Sequence, residues 1–227
     1  MDVQIDLGGT LGAVPGIFQR PADAWLLYAL AHGAGAGMRH RFMEAMTQAL
    51  AARGVATLRY EFPYMATGAR RPDPPALLQS TVRAAAAEAA RLAPDLPLVA
   101  GGKSLGGRMT SAAQAREPLP GVCGLVFLGF PLHPPKQPGV SRAEHLGAVD
   151  IPMLFLQGTR DDLANLDLIT GVCRDLGPLV TLHVADGANH AFEVLKRSGR
   201  TDAEVREELA ETIEEWCRAL VAAPGTT

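Results

Sequence analysis

The run Pro97-Leu-Val-Ala-Gly-Gly-Lys-Ser-Leu-Gly-Gly-Arg108 constrains the fold more than any other stretch of the chain. A short apolar segment ends among glycines 101, 102, 106 and 107, which bracket Ser104. Glycine allows a backbone to turn or to approach a neighbour where a Cβ would collide. The composition therefore suits a strand that enters a sharp turn and leaves it as a helix. Gly102, Ser104 and Gly106 fit G-x-S-x-G, the pattern that presents a serine hydroxyl at the tip of such a turn. Taken alone, the stretch is open between a nucleophilic serine and a tight turn kept for packing. The rest of the chain has to choose.

A chain of 227 residues, 48% hydrophobic and 20% charged, is long enough to bury a full core. No shift in composition marks a linker, so one domain spanning residues 1–227 is expected. The formal net charge of -3, with no run of Lys or Arg, gives no attraction to polyanions, and no nucleic-acid partner is expected. The opening Met1-Asp-Val-Gln-Ile-Asp6 is acidic and lacks a basic-then-apolar leader, and no apolar stretch is long enough to span a bilayer. These features predict a soluble, cytoplasmic protein with no membrane partner. Cys123, Cys173 and Cys217 are odd in number and far apart, which fits small apolar packing residues rather than a disulfide framework or a zinc knuckle.

The first residues read as two short alternating segments, Val3 to Leu7 and Gly12 to Phe18, joined by a Gly8-Gly9 turn, a pattern for antiparallel edge strands. Trp25 to Leu30, Val55 to Tyr60, Leu96 to Gly101, Val122 to Leu128, Met153 to Leu156 and Leu179 to Val184 are apolar runs of strand length. Between them lie helical patterns. Met38, Phe42, Met46 and Leu50 predict one helix, Leu77 to Leu92 a second, residues 105–116 a third, and Leu163 to Leu176 a fourth. Thr201-Asp-Ala-Glu204 is a capping box opening a last helix with Val205, Leu209, Ile213, Trp216 and Leu220 on one face. Residues 68–75, with three prolines, read as an irregular loop, and the proline-dense connection after Phe130 allows only a small cap. Strands alternating with helices predict an α/β fold with a mostly parallel sheet, helices on both faces and an antiparallel N-terminal edge.

In such a sheet, ligands meet the carboxyl ends of the strands. Four polar or Gly-rich features fall there: His32-Gly33-Ala34, Ser104, Gly158-Thr-Arg-Asp161 and His190. Acyl transfer by a serine needs a base, an acid that orients the base, and donors for the oxyanion. The chain offers a candidate for each. The order Ser104, Asp161, His190 is the α/β-hydrolase order.

The sequence resembles the α/β-hydrolase superfamily over essentially its whole length. Within it, the chain looks like small lidless bacterial hydrolases akin to dienelactone hydrolase. The residues carrying the resemblance are HGAGAGM at 32–38, RYEFPYM at 59–65, GGKSLGGR at 101–108, GFPLHPP at 129–135, LQGTRDDL at 156–163 and GANHAF at 187–192. The resemblance implies a serine hydrolase acting on a small acyl substrate without metal or organic cofactor. It implies Ser104 as nucleophile, His190 as base and Asp161 as its orienting acid, with Asp162 the alternative. It also implies oxyanion donors from the N–H groups of Leu105 and Ala34, with Gly35 an alternative to Ala34.

Other residues have competing readings. Met38, Phe62, Tyr64 and Met65, with Gly35, line an apolar substrate pocket or pack the core. Arg70 and Arg71 are candidates for binding an anionic substrate group. His32 is expected to pin its loop, and His133 and His145 to be solvated or to edge the pocket. His183, Asp186 and His190 imitate a metal cluster without a further ligand, so no metal is expected. Gly102-Lys103-Ser104 looks like the end of a nucleotide-binding P-loop, but Pro97 stands where its first glycine belongs. A non-catalytic binding or scaffold protein of the same fold is the remaining alternative.

Overall fold

The computed structural model describes residues 1–223. Its centre is an eight-stranded sheet: β1 (Asp2–Asp6), β2 (Ala13–Gln19), β3 (Leu26–Ala31), β4 (Val55–Tyr60), β5 (Leu98–Lys103), β6 (Val122–Leu128), β7 (Met153–Gly158) and β8 (Val180–Ala185). The strands lie in the order β1-β2-β4-β3-β5-β6-β7-β8. β1 pairs with β2 and β2 with β4 antiparallel, and every pairing from β4 to β8 is parallel. The antiparallel edge and parallel body agree with the expectation from the sequence.

The helices are α1 (Arg41–Ala51), α2 (Pro63–Ala66), α3 (Pro75–Leu92), α4 (Leu105–Arg116), α5 (Leu166–Leu176) and α6 (Asp202–Ala222). They cover both faces, which explains why the central strands read as continuous apolar runs. In β3, Leu27, Ala29 and Ala31 join the core under α3, α4 and α5, while Leu26, Tyr28 and Leu30 join the core under α1 and α6. A leucine buried this fully contributes about 1.5–3 kcal/mol.

Element ends differ from the sequence pattern where a cap decides them. α1 begins at Arg41 rather than Met38, because Met38 is tied into the preceding loop by Arg59 and Glu61, and His40 Nδ1 accepts the Phe42 N–H at 3.3 Å. α5 begins at Leu166 rather than Leu163, because Asn165 Oδ1 accepts the Leu168 N–H at 3.1 Å. The capping box at α6 is formed as expected, with Thr201 and Glu204 each bonded to the other's backbone. Residues 141–148 form a 3₁₀ helix packed against α4. Among the described residues no helix is long and apolar enough to cross a membrane.

Candidate active site

β5 lies at the middle of the sheet, between β3 and β6, and delivers Ser104 at its carboxyl end. Ser104 sits at φ 51°, ψ -115°, a conformation L-residues rarely adopt. Two glycines allow it. A Cβ on Gly102 would stand 2.3 Å from Ala31 O, and one on Gly106 would stand 2.6 Å from the same oxygen. The strand and the start of α4 can therefore both press onto the end of β3. The Ser104 N–H donates to Leu128 O at 3.1 Å, which fixes the turn to β6. Leu105 opens α4, and first-turn N–H groups have no acceptor within their own helix.

Asp161 and His190 come from the loops after β7 and β8. These loops are tied together: Thr159 N–H donates to Ala185 O at 3.2 Å and Arg160 N–H to Ala188 O at 2.9 Å. Asn189 Oδ1 accepts from the N–H groups of Ala191 and Glu193, both at 2.9 Å, so the segment carrying His190 is folded tightly on itself. His190 Nδ1 lies 2.7 Å from Asp161 Oδ2, and His190 Nε2 lies 2.8 Å from Ser104 Oγ. An ionised carboxylate only accepts, so Nδ1 carries the proton and Nε2 presents its lone pair to the serine hydroxyl. Asp162 is exposed. The three residues singled out from the sequence are thus in contact.

One participant was missed from the sequence. Gln157, fully buried in β7, donates from Nε2 to Asp161 Oδ2, and its Oε1 accepts the Phe130 N–H at 3.0 Å. Leu163 N–H donates to Asp161 Oδ1 at 2.8 Å. The carboxylate thus accepts bonds on both oxygens, which holds it in place. The available signal was a lone amide inside an apolar strand.

The loop after β3 brings Ala34 beside the serine. Its base is His32, fully buried, with Nδ1 donating to Gly33 O at 2.8 Å and Nε2 accepting the Phe62 N–H at 3.0 Å. Glu61 reaches under the same loop, accepting the Met38 N–H at Oε1 and lying 3.1 Å from His32 Nε2 at Oε2. His32 therefore pins the loop. The Tyr64 hydroxyl is buried against the Gly35 backbone without a well-formed hydrogen bond.

A cavity of about 520 Å³ opens on Ser104 and His190. Its walls include Ala34, Ala36, Phe42, Met43, Lys103, Phe192 and Arg206. Phe42 and Phe192 stack at 5.7 Å. Gly35, Met38, Phe62, Tyr64 and Met65, suggested as pocket residues, are not among the walls. Pro63 opens the single turn α2, which directs Phe62 and Tyr64 inward against His32 and into the core, with Met65 packed beside them. Met38 is buried beneath the loop. Arg70 and Arg71 are exposed and also lie outside this cavity.

His133 is not solvated: it is buried, its Nδ1 donating to Pro134 O at 2.8 Å and its Nε2 accepting the Asn165 N–H at 2.9 Å. His145 is partly buried and bonds Ser111 Oγ at 2.7 Å, and burial with the nearby Arg108 charge lowers its pKa. His183 pairs with Glu208, which also bonds Arg200. Among the described residues no group of three or more His, Cys, Asp or Glu is arranged to hold a metal ion. β5 runs through Lys103, leaving no loop between strand and helix to wrap a phosphate, so the P-loop alternative has no structural basis.

A parallel sheet with this strand order, an antiparallel edge and a serine at the central strand-to-helix turn defines an α/β hydrolase. The chain belongs to the alpha/beta hydrolase domain family, whose model matches residues 23–218. The fold is similar to that of an alpha-beta serine hydrolase homologue from Coxiella burnetii, at 19% identity and TM-score 0.73, covering 94% of this chain and 97% of the other. A serine hydrolase without lid from Xanthomonas campestris is 20% identical with TM-score 0.73, covering 95% and 94%. A dienelactone hydrolase from Anabaena variabilis is 21% identical with TM-score 0.74, covering 96% of each chain.

Proposed function

We propose that the protein is a serine hydrolase that cleaves a carboxylic ester, thioester or similar acyl bond through an acyl-serine intermediate. The observation that carries this reading is the unbroken line from Ser104 Oγ to His190 Nε2, and from His190 Nδ1 to Asp161 Oδ2, at 2.8 and 2.7 Å. His190 takes the serine proton as Oγ attacks the carbonyl carbon. Asp161 stabilises the imidazolium that forms, and the same imidazolium then protonates the leaving group. Water repeats the cycle on the acyl-enzyme.

The N–H groups of Leu105 and Ala34 stabilise the oxyanion. Ala34 is favoured over Gly35 because Ala34 lines the cavity with Ser104 and Gly35 does not. The walls at Phe42, Met43 and Phe192 suit an apolar acyl or alcohol portion of modest size. The likeness to lidless serine hydrolases and to a dienelactone hydrolase supports a small, accessible ester.

A fluorophosphonate probe tests the reading. Stoichiometric labelling of Ser104 is expected, abolished in Ser104→Ala and weakened in His190→Ala. Ser104→Ala and His190→Ala should each remove nearly all turnover of a simple ester, and the double variant should lose little more, because the groups act as a unit. Additive losses, or no labelling of the folded protein, would contradict the mechanism.

A further inference from the structure

Lys103 precedes the serine, at the position of the G-x-S-x-G pattern that sequence reasoning treats as free to vary. Its side chain is turned inward along the cavity wall beside Ser104. Nζ donates to the main-chain oxygen of His190 at 2.7 Å and lies 5.9 and 5.5 Å from the ring centres of Phe42 and Phe192. The space is shared closely: a Cβ on Gly129 would stand 3.1 Å from Lys103 Nζ and 3.4 Å from His190 Nδ1.

The charged groups around this ammonium are otherwise engaged. Asp161 is bonded to His190, and its charge reaches Lys103 without an ion pair. From α1, Arg41 pairs with Glu193 of the His190 loop. From α6, Asp202 accepts the Val194 N–H, and Arg206 lines the cavity, as does His40 before α1. A partly buried lysine with no carboxylate within ion-pair distance is costly to keep charged. Its one charge-assisted hydrogen bond goes to the backbone of the residue that must face Ser104.

We propose that Lys103 is a positioning residue for the hydrolytic reaction, its ammonium holding the main chain of His190 so that the imidazole stays in register with Ser104. This rests on the serine-hydrolase reading. Burial lowers the Lys103 pKa to about 8, with the Asp161 charge resisting the shift. A neutral amine donates a weaker hydrogen bond than an ammonium. Activity should therefore decline as pH rises through about 8.

Stability has the opposite slope. Between the folded pKa and the higher unfolded one, the unfolded chain holds more protons at Lys103, so its contribution to stability rises with pH. A lysine kept only for structure would show no such opposition.

The test measures kcat, KM and melting temperature for wild type, Lys103→Met and Lys103→Arg on 4-nitrophenyl acetate across the neutral to alkaline range. Wild type should lose kcat around pH 8. Lys103→Met should show kcat reduced by about 10–100-fold, the loss associated with a misplaced reacting group, with KM little changed. It should lack the alkaline decline and melt no lower than wild type. Lys103→Arg, charged throughout, should recover part of kcat and also lack the decline.

A Lys103→Met variant with wild-type kcat and pH profile overturns the role of Lys103, provided wild type labels with fluorophosphonate and turns over. A Lys103→Met variant whose activity loss is matched by a fall in melting temperature overturns it as well. A wild type that neither labels nor hydrolyses refutes the serine-hydrolase reading instead.

Discussion

At φ 51° and ψ -115°, the Ser104 backbone occupies a conformation whose cost for a residue with a Cβ is about 1–3 kcal/mol. Glycine relieves it, while losing about 0.5–1 kcal/mol to the greater freedom of the unfolded chain. Ser104→Gly and Ser104→Ala should both be inactive, yet the glycine variant should be more stable by about 1 kcal/mol, or roughly 2–4 °C in melting temperature for a chain of this size. Calorimetry on the two variants decides it, and a glycine variant that melts below the alanine variant would show that the turn carries no strain. Ser104, Asp161 and His190 were legible in the sequence because each follows an apolar strand in a sheet whose strand ends converge. Gln157 and Lys103 were not, since each is one polar residue at the end of an apolar run. Whether such a residue faces a neighbour, a cavity or solvent is settled by how the following loop turns. The pocket residues were misplaced for the same reason: Phe62 and Tyr64 lie near the right strand end but on its inner side.

Glycines within the helices have opposite meanings that their sequence contexts do not reveal. Gly106, in the first turn of α4, leaves no room against Ala31 O. Gly171, in the middle of α5, has nothing within 4 Å of where a Cβ would be. Gly106→Ala should destabilise by about 1–3 kcal/mol as the start of α4 is pushed from β3, and should lower activity by moving Leu105. Gly171→Ala should stabilise by about 0.5–1 kcal/mol and leave activity unchanged. Urea titrations with an ester assay check both signs. The helices themselves were readable from their apolar spacing. The starting residues of α1 and α5 were not, because the caps at His40 and Asn165 depend on side chains turning back to the backbone, which periodicity does not encode.

For the molecule as a whole, the parallel sheet and its antiparallel edge followed from the sequence, since strands long enough to be buried on both faces can alternate with helices in few ways. Strand order then sets unequal exposure for the residues of the site. β5, carrying Ser104, has a strand on either side, whereas β8, which leads to His190, is paired only with β7. Edge elements and the loops after them open at lower free energy than the middle of a sheet. The His190 segment should therefore detach while the serine remains in its turn. On gradual heating, ester hydrolysis should fade several degrees before the far-ultraviolet circular dichroism signal is lost, and cooling from that interval should restore it in full. Coincident loss of both would mean that the edge and centre melt as one unit. Heat would thus first produce a compact but idle molecule, switched off by the departure of its base and ready to restart without refolding its core.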